Sequence, residues 1–105
     1  MVVIQECVNV YPSNNYNYNS FSTDYIYVGN STLVEFLAFT SSSSAVLSLN
    51  WSSDGGDSVL QTDSINLTSN VSGIIQSVIK ASYVQFQVTG LTTPCSLQTQ
   101  GQYFV

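Results

Sequence analysis

The chain of 105 residues has no histidine and a single basic residue, Lys80, beside six carboxylates. Histidine is the usual general base near neutral pH, and an activated nucleophile normally needs such a partner. Neither a Gly-x-Ser-x-Gly elbow nor a nucleotide-binding glycine motif occurs. A carboxylate pair, Asp54 with Asp63 or Glu35 with Glu6, is the remaining catalytic alternative. The sequence therefore predicts a protein that is not an enzyme and binds no cofactor.

Charge is scarce as well. Charged residues make up 7% of the chain, against roughly 25% in an average soluble domain. The net charge of −5 and the lack of Lys and Arg clusters argue against nucleic-acid partners and anionic membranes. No apolar run approaches the roughly 20 residues of a membrane span, and residues 1–6 do not resemble a signal peptide. A surface this poor in charge predicts assembly with other structural proteins or with copies of itself.

The two cysteines, Cys7 and Cys95, lie near opposite ends of the chain. The first and last strands of a sandwich often pair, so a disulfide between them is one interpretation. Two buried thiols in a reducing compartment are the other. Two cysteines without histidine do not supply the four ligands of a zinc site, so we predict no bound metal.

Alternating hydrophobicity predicts an all-β fold. Leu47, Leu49 and Trp51 alternate with polar residues across residues 45–52, which predicts a half-buried strand with Trp51 in the core. Residues 82–89 alternate in the same way. Residues 33–39 are apolar on both faces except at Glu35, as expected of a strand covered on both sides. Glu35 is then expected to meet Lys80 or a partner.

Weaker strand candidates and turn signals complete a single domain over residues 1–105. The weaker candidates are residues 2–10, 25–28, 58–67 and 97–105. Residues 77–79 are predicted to be extended, with one helical turn before them. We expect an antiparallel β sandwich of seven or eight strands, either jelly-roll or immunoglobulin-like.

Two polar segments link these strands. Residues 11–20 alternate tyrosine with asparagine and carry no charge, which predicts a long loop or arm. Asp54-Gly55-Gly56 follows a strong strand and predicts a tight hairpin turn. Calcium bound by Asp54 and Asp57 is the alternative, although six to eight oxygens are required.

Exposed tyrosines are the candidate contact residues. The loop and strand positions of Tyr16, Tyr18, Tyr25 and Tyr27 can present rings with polar edges, which suit either a protein contact or sugar stacking. Four N-x-Ser/Thr acceptors leave glycosylation open. These are Asn30, Asn50, Asn66 and Asn70.

A family resemblance adds to this interpretation. The strand that ends in Trp51-Ser52-Ser53-Asp54-Gly55, followed later by Tyr83-Val84-Gln85-Phe86-Gln87-Val88, resembles the β-sandwich modules of viral minor capsid, fibre and tail accessory proteins. The resemblance covers residues 33–91. It implies a small structural protein of the virion, in the capsid or at its surface, that packs against coat proteins or its own copies. Similar strands in carbohydrate-binding sandwiches imply a glycan-binding or cell-attachment module as the alternative.

Overall fold

The computed structural model describes the backbone of residues 5–104 and the side chains of residues 15–104. This part of the chain forms nine strands. It holds no helix long and apolar enough to cross a membrane. The strands are β1 (Gln5–Tyr16), β2 (Phe21–Ser22), β3 (Ile26–Tyr27), β4 (Leu33–Thr40), β5 (Val46–Ser52), β6 (Gln61–Asn66), β7 (Gly73–Val78), β8 (Tyr83–Thr89) and β9 (Cys95–Phe104).

The strands form two antiparallel sheets that pack into a sandwich. Sheet A has the order β1-β9-β4-β7, and sheet B has the order β2-β8-β5-β6 with β3 also paired to β8. The chain passes from one sheet to the other at most connections, and β5 and β6 form the hairpin within sheet B. This is the order of a jelly roll, since an immunoglobulin fold keeps its first two strands in one sheet. The prediction of a β sandwich is confirmed. The strand count of nine exceeds the predicted seven or eight because two short strands, β2 and β3, share one side of β8.

The core lies between the two sheets. It is formed by the inward-facing apolar residues, which alternate along the strands with outward-facing residues. Phe36 of sheet A and Phe86 of sheet B stack with ring centroids 5.0 Å apart. Gly101 makes this possible, because a Cβ there would lie 2.5 Å from the Phe86 ring. Trp51 is fully buried, as predicted.

Two predicted local structures differ from those observed. Residues 73–78 pair with β4 from Leu33 to Ala38, so the segment is a strand and the predicted helical turn is wrong. The apolar residues fall at helical spacing because they occupy both faces of this strand. Ile75 points into the core, whereas Ile74 and Val78 lie on the other side of the same strand.

The tract at residues 11–20 is not a free arm. Its first part belongs to β1, which stays paired with β9 as far as Tyr16, with a register shift after Tyr11. Tyr16 is buried and its hydroxyl donates to the Ser20 carbonyl at 2.6 Å. The Leu91 N–H donates to the Asn19 carbonyl at 3.0 Å. Sequence composition suggested a loop, but long-range pairing with β9 makes the tract part of sheet A.

Candidate functional site

The outer face of sheet A is the side that points away from the core. Because side chains alternate along a strand, one face of β4 fills the core and the other presents Leu33, Glu35, Leu37 and Phe39. Beside it, Ile74 and Val78 of β7 are 49% and 65% exposed. A groove of about 220 Å³ lies on this face. It is lined by Leu37, Ala38, Phe39, Ser72, Gln98, Thr99 and Gln100. The apolar pattern of residues 33–39 predicts a cover over this face, and within the single chain the face is partly open to solvent.

Glu35 sits in the middle of this apolar face and is held by two amides. Gln102 Nε2 of β9 donates to Glu35 Oε1 at 2.6 Å, and Gln76 Nε2 of β7 donates to Glu35 Oε2. Both glutamines are the cross-strand neighbours of Glu35 in the sheet register. The predicted partner Lys80 is instead at Asp63, so that alternative for Glu35 is wrong. The alternating glutamines of β9 were the sequence signal that could have indicated this arrangement.

Lys80 belongs to a separate cluster that fixes Trp51. The Lys80 ammonium lies 2.9 Å from Asp63 Oδ2, and the buried Trp51 indole N–H donates to the same oxygen at 3.0 Å. Gln61 Nε2 donates to Asp63 Oδ1 at 2.9 Å. Burial of Asp63 acts to raise its pKa, but the hydrogen bonds from Lys80, Gln61 and Trp51 and the Lys80 charge outweigh this and lower the pKa. Both carboxylate oxygens of Asp63 accept hydrogen bonds from within the chain, so the cluster holds Trp51 and the Asp63 side chain in place.

The outer face of sheet B is polar and carries a hydrogen-bonded network without charge. Asn50 Nδ2 donates to Gln85 Oε1 and to Gln87 Oε1, each at 2.9 Å. Thr62 Oγ1 donates to Asn50 Oδ1 at 2.8 Å, and Gln85 Nε2 donates to the Thr23 carbonyl at 3.0 Å. The network covers β5, so this strand is buried on both sides rather than half-buried as predicted.

The four predicted tyrosines do not form one surface. Tyr16 is buried and packs edge-to-face with Tyr18, which is 71% exposed, at a centroid distance of 5.6 Å. Tyr25 lies against the loop after β5, where a Cβ on Gly56 would meet its ring at 2.6 Å. Tyr27 is 52% exposed on sheet B and packs edge-to-face with Tyr83 at 5.4 Å. The structure therefore pairs Tyr27 with a residue that the sequence analysis did not single out as a site residue.

The loop of residues 53–60 is longer than the predicted tight turn, although it does join two paired strands as expected. Asp54 Oδ1 accepts hydrogen bonds from the Ser52 hydroxyl at 2.7 Å and the Ser58 N–H at 3.0 Å. The Ser52 hydroxyl bond, followed by the Ser58 backbone bond, lowers the pKa of Asp54. Its carboxylate thus organises the loop itself. Within the described residues, no group of three or more metal-ligating side chains occurs.

The cysteines are not neighbours in the register. Cys95 is buried with a free thiol. Cys7 pairs with Gly101, whereas Cys95 pairs with Tyr16. Six residues of extended strand separate the two positions by about 20 Å, which is beyond the reach of a disulfide. The side chain of Cys7 lies outside the described residues.

The N-x-Ser/Thr acceptors differ in exposure. Asn50 is buried, with both amide hydrogens donated within sheet B. The other three are exposed. They are Asn30, Asn66 and Asn70.

Comparison with known proteins supports the fold. No family model matches the sequence, and no curated protein matches it. The phage PBSX exported protein XepA superposes with a TM-score of 0.70 at 10% identity over 92% of this chain. The chain spans 36% of the length of XepA. A protein of Bacillus endospore appendages, a novel family of disulfide-linked pili, superposes with a TM-score of 0.55 at 6% identity over 98% of this chain and 88% of its own.

A third structure belongs to an enzyme. Tripeptidyl peptidase 2 matches with a TM-score of 0.51 at 11% identity, over 91% of this chain and 10% of the peptidase. Identities this low establish the sandwich fold and no more, because one fold serves many functions. The function must therefore be argued from the two outer faces.

Proposed function

We propose that this protein is a non-enzymatic structural protein, a small capsid or virion-surface component. It packs through the outer face of sheet A against copies of itself or a larger coat protein. The observation that carries the proposal is the set of exposed apolar side chains around Glu35, with Ile74 and Val78 about half or more exposed. Apolar side chains grouped on one exposed face, with polar side chains among them, are typical of interaction sites.

Composition and fold support the same function. A chain with 7% charged residues has few of the groups that keep a free monomer apart from its neighbours. Jelly rolls are common in viral capsid proteins. The endospore appendage protein, with a similar fold, belongs to pili. A pilus is built from many protein subunits, so this fold is compatible with assembly.

Sedimentation velocity tests the proposal. The wild-type chain should associate as its concentration rises. Ile74→Ser removes an apolar side chain from the outer face of sheet A and should weaken the association roughly 5- to 30-fold. Leu60→Ser is the matched control, because Leu60 is 62% exposed on the loop of residues 53–60. Equal association by both variants would contradict the proposed face.

A glycan-binding or cell-attachment module is the second candidate. Its supporting observation is the exposed Tyr27 ring, packed on Tyr83, beside the uncharged amide network of sheet B. Aromatic rings and amides are groups that sugars contact. A glycan array probed with wild type, Tyr27→Ala and the control Tyr18→Ala distinguishes this candidate. Binding that only Tyr27→Ala abolishes would favour it over the structural function.

A further inference from the structure

Each sheet of the sandwich ends in strands that are paired on one side only. In sheet A these edge strands are β1 and β7, and in sheet B they are β6 and the short strands β2 and β3. Alternate residues of an antiparallel strand direct their N–H and C=O groups to the partner strand, and the residues between them direct theirs away from it. An edge strand therefore presents unpaired backbone groups to any extended strand unless some feature prevents pairing.

Three of these edges have features that prevent pairing. The strands β2 and β3 contain two residues each. The strand β1 includes Pro12, which has no N–H, and its register shifts after Tyr11. The strand β6 carries Asp63, whose carboxylate lies 2.9 Å from the Lys80 ammonium. Short strands, proline, irregular register and charge all keep natural sheets from joining at their edges.

The fourth edge strand, β7, has none of these features. Its residues Gly73–Val78 include no charge and no proline, and all of them pair with β4 in one unbroken register. Ile74 and Val78 are exposed on its outer side. Among the described residues, its backbone makes one hydrogen bond beyond this pairing, which the Val78 carbonyl accepts from the Ser77 hydroxyl at 2.7 Å. We call the free side of Gly73–Val78 the β7 edge.

We propose that the β7 edge pairs in antiparallel orientation with the β7 edge of a second copy, which joins two copies of sheet A into one continuous sheet. This inference rests on the proposed function, because it takes assembly with copies as given and adds a second surface to it. The two-fold axis passes through Gln76, perpendicular to the sheet. Gln76 then lies opposite Gln76 of the second copy, and the contact is isologous, as in most dimers.

The sequence of β7 is complementary to itself in this register. Ile74 of each copy lies opposite Val78 of the other, so both ends of the contact pair aliphatic side chains on the outer face. A shift of two residues loses these pairs, because Val78 then lies opposite Asn70, or Ile74 opposite Ser82. A shift of one residue would turn the apolar side chains to the wrong face. The register through Gln76 is therefore the one that β7 favours.

Charge also favours a second β7 edge as the partner. The chain has a net charge of −5, so contacts that bring carboxylates of two copies together are opposed. Pairing of β7 with β6 of another copy would place Asp63 beside the new contact. Two β7 edges bring no charge to it, and neither of them has a proline or a register shift.

Amide hydrogen exchange of the full chain tests this pairing at the backbone. At about 20 μM, the β7 amides that point away from β4 should exchange fast. At about 1 mM they should exchange roughly tenfold more slowly, because they gain acceptors in the second copy. The amides of β6 are the control and should exchange alike at both concentrations. Contact through the outer face of sheet A alone would add no hydrogen bond to the β7 edge.

Two lysine variants separate the β7 edge from the outer face of sheet A. Gln76 and Gln102 both lie on that face and donate to Glu35, so Gln76→Lys and Gln102→Lys place the same charge beside the same carboxylate. Only Gln76→Lys puts two lysines opposite each other at the two-fold axis. In sedimentation velocity it should weaken association roughly threefold or more, with partial recovery in about 0.5 M NaCl. Gln102→Lys, inside the sheet, should weaken association less, and far-UV circular dichroism confirms that both variants are folded.

The outcomes separate this inference from the proposed function. Equal weakening by the two lysines, with β7 exchange that does not depend on concentration, overturns the β7 pairing and leaves assembly through the outer face of sheet A standing. Slower β7 exchange that appears only when another protein is added overturns the second copy as the partner. A chain that stays monomeric up to about 1 mM, with unchanged exchange, overturns the joining of copies through either surface.

Discussion

At the residue scale, Asp63 is the acceptor that allows Trp51 to be fully buried. Asp63→Ala leaves the buried indole N–H without its acceptor and should lower the free energy of unfolding by about 1–3 kcal/mol. Asp63→Asn is the matched control, because its amide oxygen can still accept from the indole. Urea denaturation measures both variants. Equal stability of Asp63→Ala and wild type would show that the indole bond contributes nothing.

The pH dependence of this residue has a definite sign. The pKa of Asp63 is lowered in the folded protein, so its ionised form stabilises the fold above the ordinary carboxyl pKa of about 3.9. That contribution is lost as the pH falls through the lower folded-state pKa. The stability difference between wild type and Asp63→Asn should therefore be constant near neutral pH and shrink below about pH 4. A difference that grows with acid would refute the assignment.

The alternation of apolar and polar residues predicts which face of most strands points into the core. It does not predict the hydrogen-bond partners of their polar side chains. The burial of Val84, Phe86 and Val88 follows directly from alternation. The contact of Glu35 with Gln76 and Gln102 spans 41 and 67 residues in sequence. A pattern of neighbouring residues cannot indicate contacts between residues so far apart in the sequence. This is why the predicted Lys80 contact was wrong although Glu35 itself was correctly noticed.

At the element scale, the loop of residues 53–60 depends on Gly55. Its φ is +78° and a Cβ there would meet nothing within 4 Å, so any cost of substitution comes from the backbone conformation. Gly55→Val should destabilise the fold by roughly 1 kcal/mol or more. Gly55→Asn is the control, since asparagine tolerates this conformation. Thermal melts compare the two, and equal melting temperatures would contradict the argument.

Strands were predictable where the alternation of apolar and polar residues along the sequence agrees with the pairing of strands in the sheet. The strands β5 and β8 were found nearly to the residue. By contrast, β7 has apolar residues at helical spacing, and its pairing with β4 determines its conformation. The tract that ends at Tyr16 has the composition of a loop, and its pairing with β9 makes it a strand. Tertiary context therefore overrides local propensity in both segments.

At the scale of the whole molecule, the two outer faces differ in chemistry. Sheet B joins the amides of Asn50, Gln85 and Gln87 by hydrogen bonds within the chain. Sheet A exposes apolar side chains around Glu35. A sandwich with one hydrogen-bonded polar face and one face that exposes apolar side chains is suited to join neighbours on one side. The proposed structural function rests on this asymmetry and not on the fold, because one fold serves proteins of different kinds.

Methyl NMR spectra recorded during dilution test the central claim most directly. As the concentration rises from about 20 μM to about 1 mM, the methyl resonances of Leu37, Ile74 and Val78 should shift or broaden. Those of Val59 and Leu60, exposed on the loop of residues 53–60, should stay unchanged. This result would identify the outer face of sheet A as the surface that joins copies of the chain. A spectrum that does not change with concentration, or changes confined to sheet B, would contradict the account.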